Sequence, residues 1–193
     1  MEKVATILAE YMLKEKVILK EDFEIYKYGF LMGMEVICSI LACLCIAIQM
    51  KMINECLVFF LLFYSLRSYV GGLHLNNFPK CFTCSLSVLY LTLWAIKSCS
   101  VSIDISAFLS ICEILLIYVL KPVENANRPI DDEEKLLFLQ KLHKHLGVVV
   151  GCIVFLYILK WDHYMNVITY TLGVIIISMF LGEIKNQIEI LRA

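Results

Sequence analysis

The sequence predicts an all-α, polytopic membrane protein of about six transmembrane helices, preceded by an N-terminal amphipathic helix at the membrane interface. Three observations carry this. Of 193 residues, 61% are hydrophobic and the mean hydropathy is +0.80, against about 45–50% apolar residues in a soluble domain. Charged residues make up only 18%, and they gather between apolar runs. Those runs approach the ~20 residues that a helix needs to cross a bilayer. The length suits one membrane-embedded domain over 1–193. The net charge of −1 and the lack of a basic stripe leave no case for nucleic acid as a partner.

Residues 1–27 come first. They are rich in Lys, Asp and Glu and lack the early apolar run of a cleavable signal peptide. At helical spacing Val4, Ile7, Leu8, Tyr11, Ile18 and Leu19 share one face, and Lys3, Glu10, Lys14 and Glu21 the other. Glu15, Leu13 and Val17 break the pattern. An interfacial helix on the bilayer fits; a helix packed against the bundle is the other reading. Apolar spans are then expected at 28–50, 53–70, 82–101, 103–120, 146–160 and 164–182. Only Ser98, Ser100, Ser102 and Asp104 separate the third from the fourth, so that hairpin must turn tightly. Segment 121–145, "KPVENANRPIDDEEKLLFLQKLHKH", is the one long polar stretch. Pro122 and Pro129 break helix there, and Asp131 with Glu134 has the spacing of an N-cap and a capping-box acid.

The distribution of Lys and Arg orients these spans. Lys3, Lys14, Lys16, Lys20 and Lys27 precede the first span. Arg67 and Lys80 follow the second. Lys121, Arg128, Lys135, Lys141 and Lys144 follow the fourth, and Lys185 and Arg192 end the chain. An even number of spans puts all of these on one side and leaves Lys51, Lys97 and Lys160 on the other. Both termini are therefore expected in the cytoplasm, together with the polar stretch "RSYVGGLHLNNFPKC", Arg67 to Cys81.

That stretch concentrates residues capable of chemistry. A nucleophilic Cys needs a base for its proton and surroundings that favour the thiolate. His74 and Cys81 are seven residues apart, about 10.5 Å along a continuous helix, too far for a hydrogen bond. The chain must bend between them, and Asn76, Asn77 and Pro79 are residue types that permit it. Pro79 also suits the first turn of the next helix. Cys81 would then lie in that turn, where free N–H groups and the helix dipole favour an anion. Gly71 and Gly72 suit close backbone approach or a positive-φ turn, or simply the end of a span. Arg67 could orient a substrate carboxylate or carbonyl, or reach to the interface from a span end.

Seven of the nine cysteines lie within or beside apolar runs, where a thiol packs as a small hydrophobe, and the odd number speaks against a disulfide framework. Cys81 and Cys84 form a C-x-x-C, but no partner pair completes a zinc site. His143 and His145, two residues apart, would face different sides of a helix. No metal or cofactor is called for. Glu35 and Glu113 lie inside apolar runs, where an ionisable group suggests function. They are the basis for an alternative reading as a small transporter or channel.

The stretch Arg67–Cys81 resembles the signature of the accessory gene regulator B (AgrB) family: an Arg, then Gly71-Gly72-Leu73-His74, then Cys81. The prolines of "KPVENANRPIDDEEK" and the layout of six spans also resemble that family. The resemblance implies a cysteine endopeptidase of the bacterial cell membrane that processes a quorum-sensing propeptide. It implies His74 and Cys81 as the catalytic pair; Arg67, Gly71 and Gly72 are candidates to bind substrate or support the oxyanion. The implied substrate has an amphipathic leader, a short core holding a Cys or Ser, and an acidic C-terminal tail. Its core would close to a thiolactone or lactone through a thioester on Cys81. The resemblance is also compatible with a homodimer.

Overall fold

The computed structural model describes residues 1–73, 77–120 and 132–192. All of the regular structure among them is helical, as the apolar runs predict. Among the described residues, five helices are long and apolar enough to cross a membrane. The chain divides into a first unit, Met1–Gln49, and a second that begins at Met50.

In the first unit, α1 covers Glu2–Lys14, a 3₁₀ turn covers Lys20–Asp22, and α2 covers Phe23–Met50. The face read across residues 1–27 is thus not one helix. α1 stops because Lys16 takes a left-handed φ of 57°. The amides of Lys16 and Val17 then bond back to the carbonyls of Leu13 and Met12, the Schellman arrangement that closes a helix C-terminus. The break falls where Glu15 and Val17 interrupt the amphipathic pattern.

The second unit holds α3 (Ile53–Val70), α4 (Phe78–Ser98), α5 (Ile103–Val119), α6 (Asp132–Leu159) and α7 (Asp162–Arg192). α3 coincides with the second expected span. α5 matches the fourth, but its 17 residues reach only about 25 Å. α6 departs most from expectation. The charged run after Asp132 is not a separate helix but continues into the fifth span, giving 28 residues. The capping role read for Asp131, and the prolines of the preceding segment, lie outside the described residues. α6 also ends in a Schellman arrangement, with Lys160 at φ 55° and Trp161 N–H on the Leu156 carbonyl.

α7 is the central helix and packs against α3, α4, α5 and α6. Leu66 and Val70 of α3, Ile117 of α5, Leu142 of α6, and Leu172 and Ile175 of α7 form the middle of its core. Large apolar side chains also cover the outside of the helices, among them Leu61, Phe108, Phe155, Ile158 and Ile177. A soluble surface does not carry so continuous an apolar cover, whereas hydrocarbon is its natural solvent. This is a membrane-embedded bundle.

Its two ends differ. At one, α7 is tied by polar side chains. Asn166 donates to the carbonyls of Val101 and Asp162, and accepts from the Ser106 hydroxyl and the Val101 amide. Ser110 and Thr169 share a hydrogen bond of 2.8 Å. The His163 ring nitrogen lies 2.6 Å from the Glu55 carboxylate of α3, and Tyr157 donates to Asp104. At the other end lie the last turn of α3, the first turn of α4 and the sequence stretch with the candidate chemistry.

Candidate active site

Where α3 ends, its own Arg67 turns back to cap it. One terminal nitrogen, Nη1, donates to the Gly71 carbonyl at 2.7 Å and to the Ser178 hydroxyl of α7 at 2.6 Å. The other, Nη2, donates to the Leu73 carbonyl. The guanidinium also lies over the Phe63 ring, 5.7 Å from its centroid. A half-buried arginine with this many partners is not reaching out to the interface. Among the described residues its donors are directed at the chain's own backbone and at α7.

The backbone it holds needs glycine. Gly71 has φ 69° and Gly72 φ 130°, conformations that side chains oppose. A Cβ on Gly72 would run into the Arg67 guanidinium and would lie 2.8 Å from Ser178 Oγ. The Leu73 amide then donates to the Ser178 carbonyl at 2.9 Å. Gly182, one turn further along α7, faces Gly72. A Cβ there would stand 2.5 Å from the Gly72 carbonyl carbon and 2.8 Å from Leu73 N. Residues 71–73 thus lie directly on the backbone of α7.

α4 begins at Phe78, with extended Asn77 as its N-cap and Pro79 in its first turn. The Cys81 amide closes that turn on the Asn77 carbonyl at 3.0 Å. The expected helix start just before Cys81 is therefore present, and both Cys81 and Cys84 are half-buried free thiols. His74 and Asn76 lie outside the described residues.

His143 and His145 do point apart. His143 stacks on Tyr118 of α5 with ring centroids 4.5 Å apart, and His145 packs on Tyr69 of α3 at 5.0 Å. Glu113 is on α5 against Gly173 of α7, where a Cβ would meet its Oε1 at 3.1 Å. Its Oε2 is buried without a hydrogen-bond partner among the described residues. Glu35 lies on α2 in the first unit.

Ser178 and Gly182 were not among the candidates read from sequence. The available signal was "SMFLG", two small residues four apart in an apolar helix, the spacing that lets backbones approach closely in membranes.

The architecture and the site together define a class: a polytopic helical membrane protein with a free thiol in the first turn of one helix and a glycine segment clamped by arginine at the end of another. The family model for accessory gene regulator B matches residues 5–184, and the chain belongs to that family. This family is associated with the processing of quorum-sensing peptide precursors. No curated protein and no solved structure matches the chain.

Proposed function

We propose that this protein is a membrane cysteine endopeptidase and cyclase, with Cys81 as nucleophile and His74 as its base. The observation that carries the reading is Cys81 in the first turn of α4, in a member of this family. A helix N-terminus offers free N–H groups to an anion.

The chemistry follows. His74 takes the Cys81 proton as the sulfur attacks the carbonyl at the core–tail junction. The C–N bond breaks, His74 passes the proton to the departing amine, and the acidic tail leaves. The leader and core remain as a thioester on Cys81. A Cys or Ser within the core gives up its proton and attacks that thioester, closing the ring and restoring the enzyme thiol. Exchange of one thioester for another is nearly isoenergetic, whereas hydrolysis runs downhill, so water must be kept out and the internal nucleophile held close. Such positioning can lower a barrier by about 7–11 kcal/mol. Binding of the leader to the bilayer would confine the substrate to the surface on which Cys81 lies.

Mass spectrometry of a precursor incubated with the protein in lipid tests this. Wild type is expected to give free tail, an acyl-enzyme and a ring. Cys81→Ser and His74→Ala are expected to give no tail above background, while Glu35→Gln and Glu113→Gln remain active. Tail release at the wild-type rate by Cys81→Ser or His74→Ala sinks the peptidase reading. Inactive glutamine variants would favour the transport alternative, for which the buried Glu113 oxygen is the supporting observation.

A further inference from the structure

We infer that Ser178 and Gly182 of α7 are positioning residues for the reaction: they form the seat that fixes the backbone from which His74 departs. This rests on the reading of His74 and Cys81 given above and names what aligns them.

The two residues are one turn apart, on one face of α7. A carbonyl oxygen inside a helix already accepts from the amide four residues on, but it has a second lone pair. A side chain at that fourth residue leans back toward the N-terminus and covers the approach to it. At Gly182 there is no side chain. The Ser178 carbonyl is left open, and the Leu73 amide occupies it at 2.9 Å. The added Cβ at Gly182 would overlap the bond between Gly72 and Leu73, as close as 2.5 Å. That obstacle is backbone, which cannot swing aside as a flexible side chain can.

Ser178 completes the seat from its other end. Its hydroxyl takes Arg67 Nη1 at 2.6 Å, and the same guanidinium holds the Gly71 and Leu73 carbonyls. Gly71 is therefore held through its carbonyl by Arg67, and Leu73 through its carbonyl by Arg67 and through its amide by the Ser178 carbonyl. Leu73 immediately precedes His74 in the chain, so the seat fixes the last described backbone position before it. Cys81 sits on a different helix, also packed on α7. α7 is then the common reference for Leu73 and for the helix that carries Cys81. A misplacement of about 1 Å can reduce a rate on the order of 100-fold.

The test uses the full-length protein in lipid nanodiscs, with three readouts: exchange of the Leu73 amide, kcat and KM for tail release, and the pH profile of Cys81 alkylation by iodoacetamide, followed by peptide mass. Gly182→Ala is expected to lose Leu73 protection and to lower kcat on the order of 100-fold with KM little changed. It is also expected to shift the alkylation profile onto that of His74→Ala. Ser178→Ala keeps the carbonyl but loses the hydroxyl, and should produce a smaller change in the same direction. Gly173→Ala adds a methyl elsewhere on α7 and should leave the Leu73 exchange and the alkylation profile as in wild type. Wild-type exchange in Gly182→Ala overturns the seat. Lost protection with unchanged kcat and profile overturns its positioning role. If His74→Ala itself has wild-type tail release and a wild-type profile, the peptidase reading falls and the positioning role with it.

Discussion

Asn166 uses all of its hydrogen-bonding capacity on the bundle. Its amide nitrogen donates twice and its oxygen accepts twice, joining the start of α7 to the α4–α5 turn and to Ser106. It is 3% exposed, so removal of the amide leaves Ser106 and the Val101 backbone without these partners. Asn166→Ala is expected to destabilise the protein by about 1–3 kcal/mol, read as an earlier thermal transition in detergent. A transition unchanged from wild type would mean that other groups or water replace the bonds. Nothing in the neighbouring sequence marks Asn166 as buried; it reads as a polar residue just inside the last span. Arg67 was equally ambiguous in sequence. An arginine at a span end can face substrate, lipid headgroups or its own chain, and only the positions of Gly71, Leu73 and Ser178 distinguish among these.

At the scale of elements, α6 is the instructive case. Its 28 residues extend about 42 Å, well beyond a hydrocarbon core of ~30 Å. Hydropathy separates a polar half from an apolar half, but helix propensity does not change at that border. The helix therefore runs through it, and the aromatic contacts of Phe138 and His145 with Tyr69, and of His143 with Tyr118, hold its polar half to α3 and α5. One alanine inserted after Leu146 would rotate that half by about 100° and separate all three contacts. Faster amide exchange is expected over residues 134–145, while an alanine inserted ahead of Asp132 should leave those rates unchanged. Equal rates in both variants would show that these contacts do not hold the helix in place. α1 gives the complementary lesson. Its periodicity was legible, but a lysine in the left-handed region ended it before the pattern did, and lysine carries no sequence signal for that conformation.

For the whole molecule, the charge bias predicts that Lys51, Lys97 and Lys160 mark the outer face and that Cys81 faces the cytoplasm. The cysteines offer a direct check. Cys99 is exposed at the C-terminal end of α4 and Cys81 lies in its first turn, about 27 Å apart along one helix. A membrane-impermeant maleimide added to intact cells is expected to label Cys99 and spare Cys81, and inverted vesicles should reverse the preference. Labelling of Cys81 from outside would overturn the orientation, and with it the idea that substrate arrives from the cytoplasm.

By itself the sequence determined the helical membrane class, the limits of α3 and α5, the family and the helix start before Cys81. Those follow from local properties: runs of apolar residues, turn-forming residues and the spacing of a short motif. The contacts of Arg67 and the two glycines did not follow, because they depend on Ser178 and Gly182, more than a hundred residues away in the chain. A hydrogen bond between Leu73 and Ser178 exists only once α3 and α7 pack. The absence of a side chain at Gly182 has meaning only when another backbone lies against it. Tertiary structure decided this because close packing between helices is a property of pairs of surfaces, and a single chain read in order shows each surface without its partner.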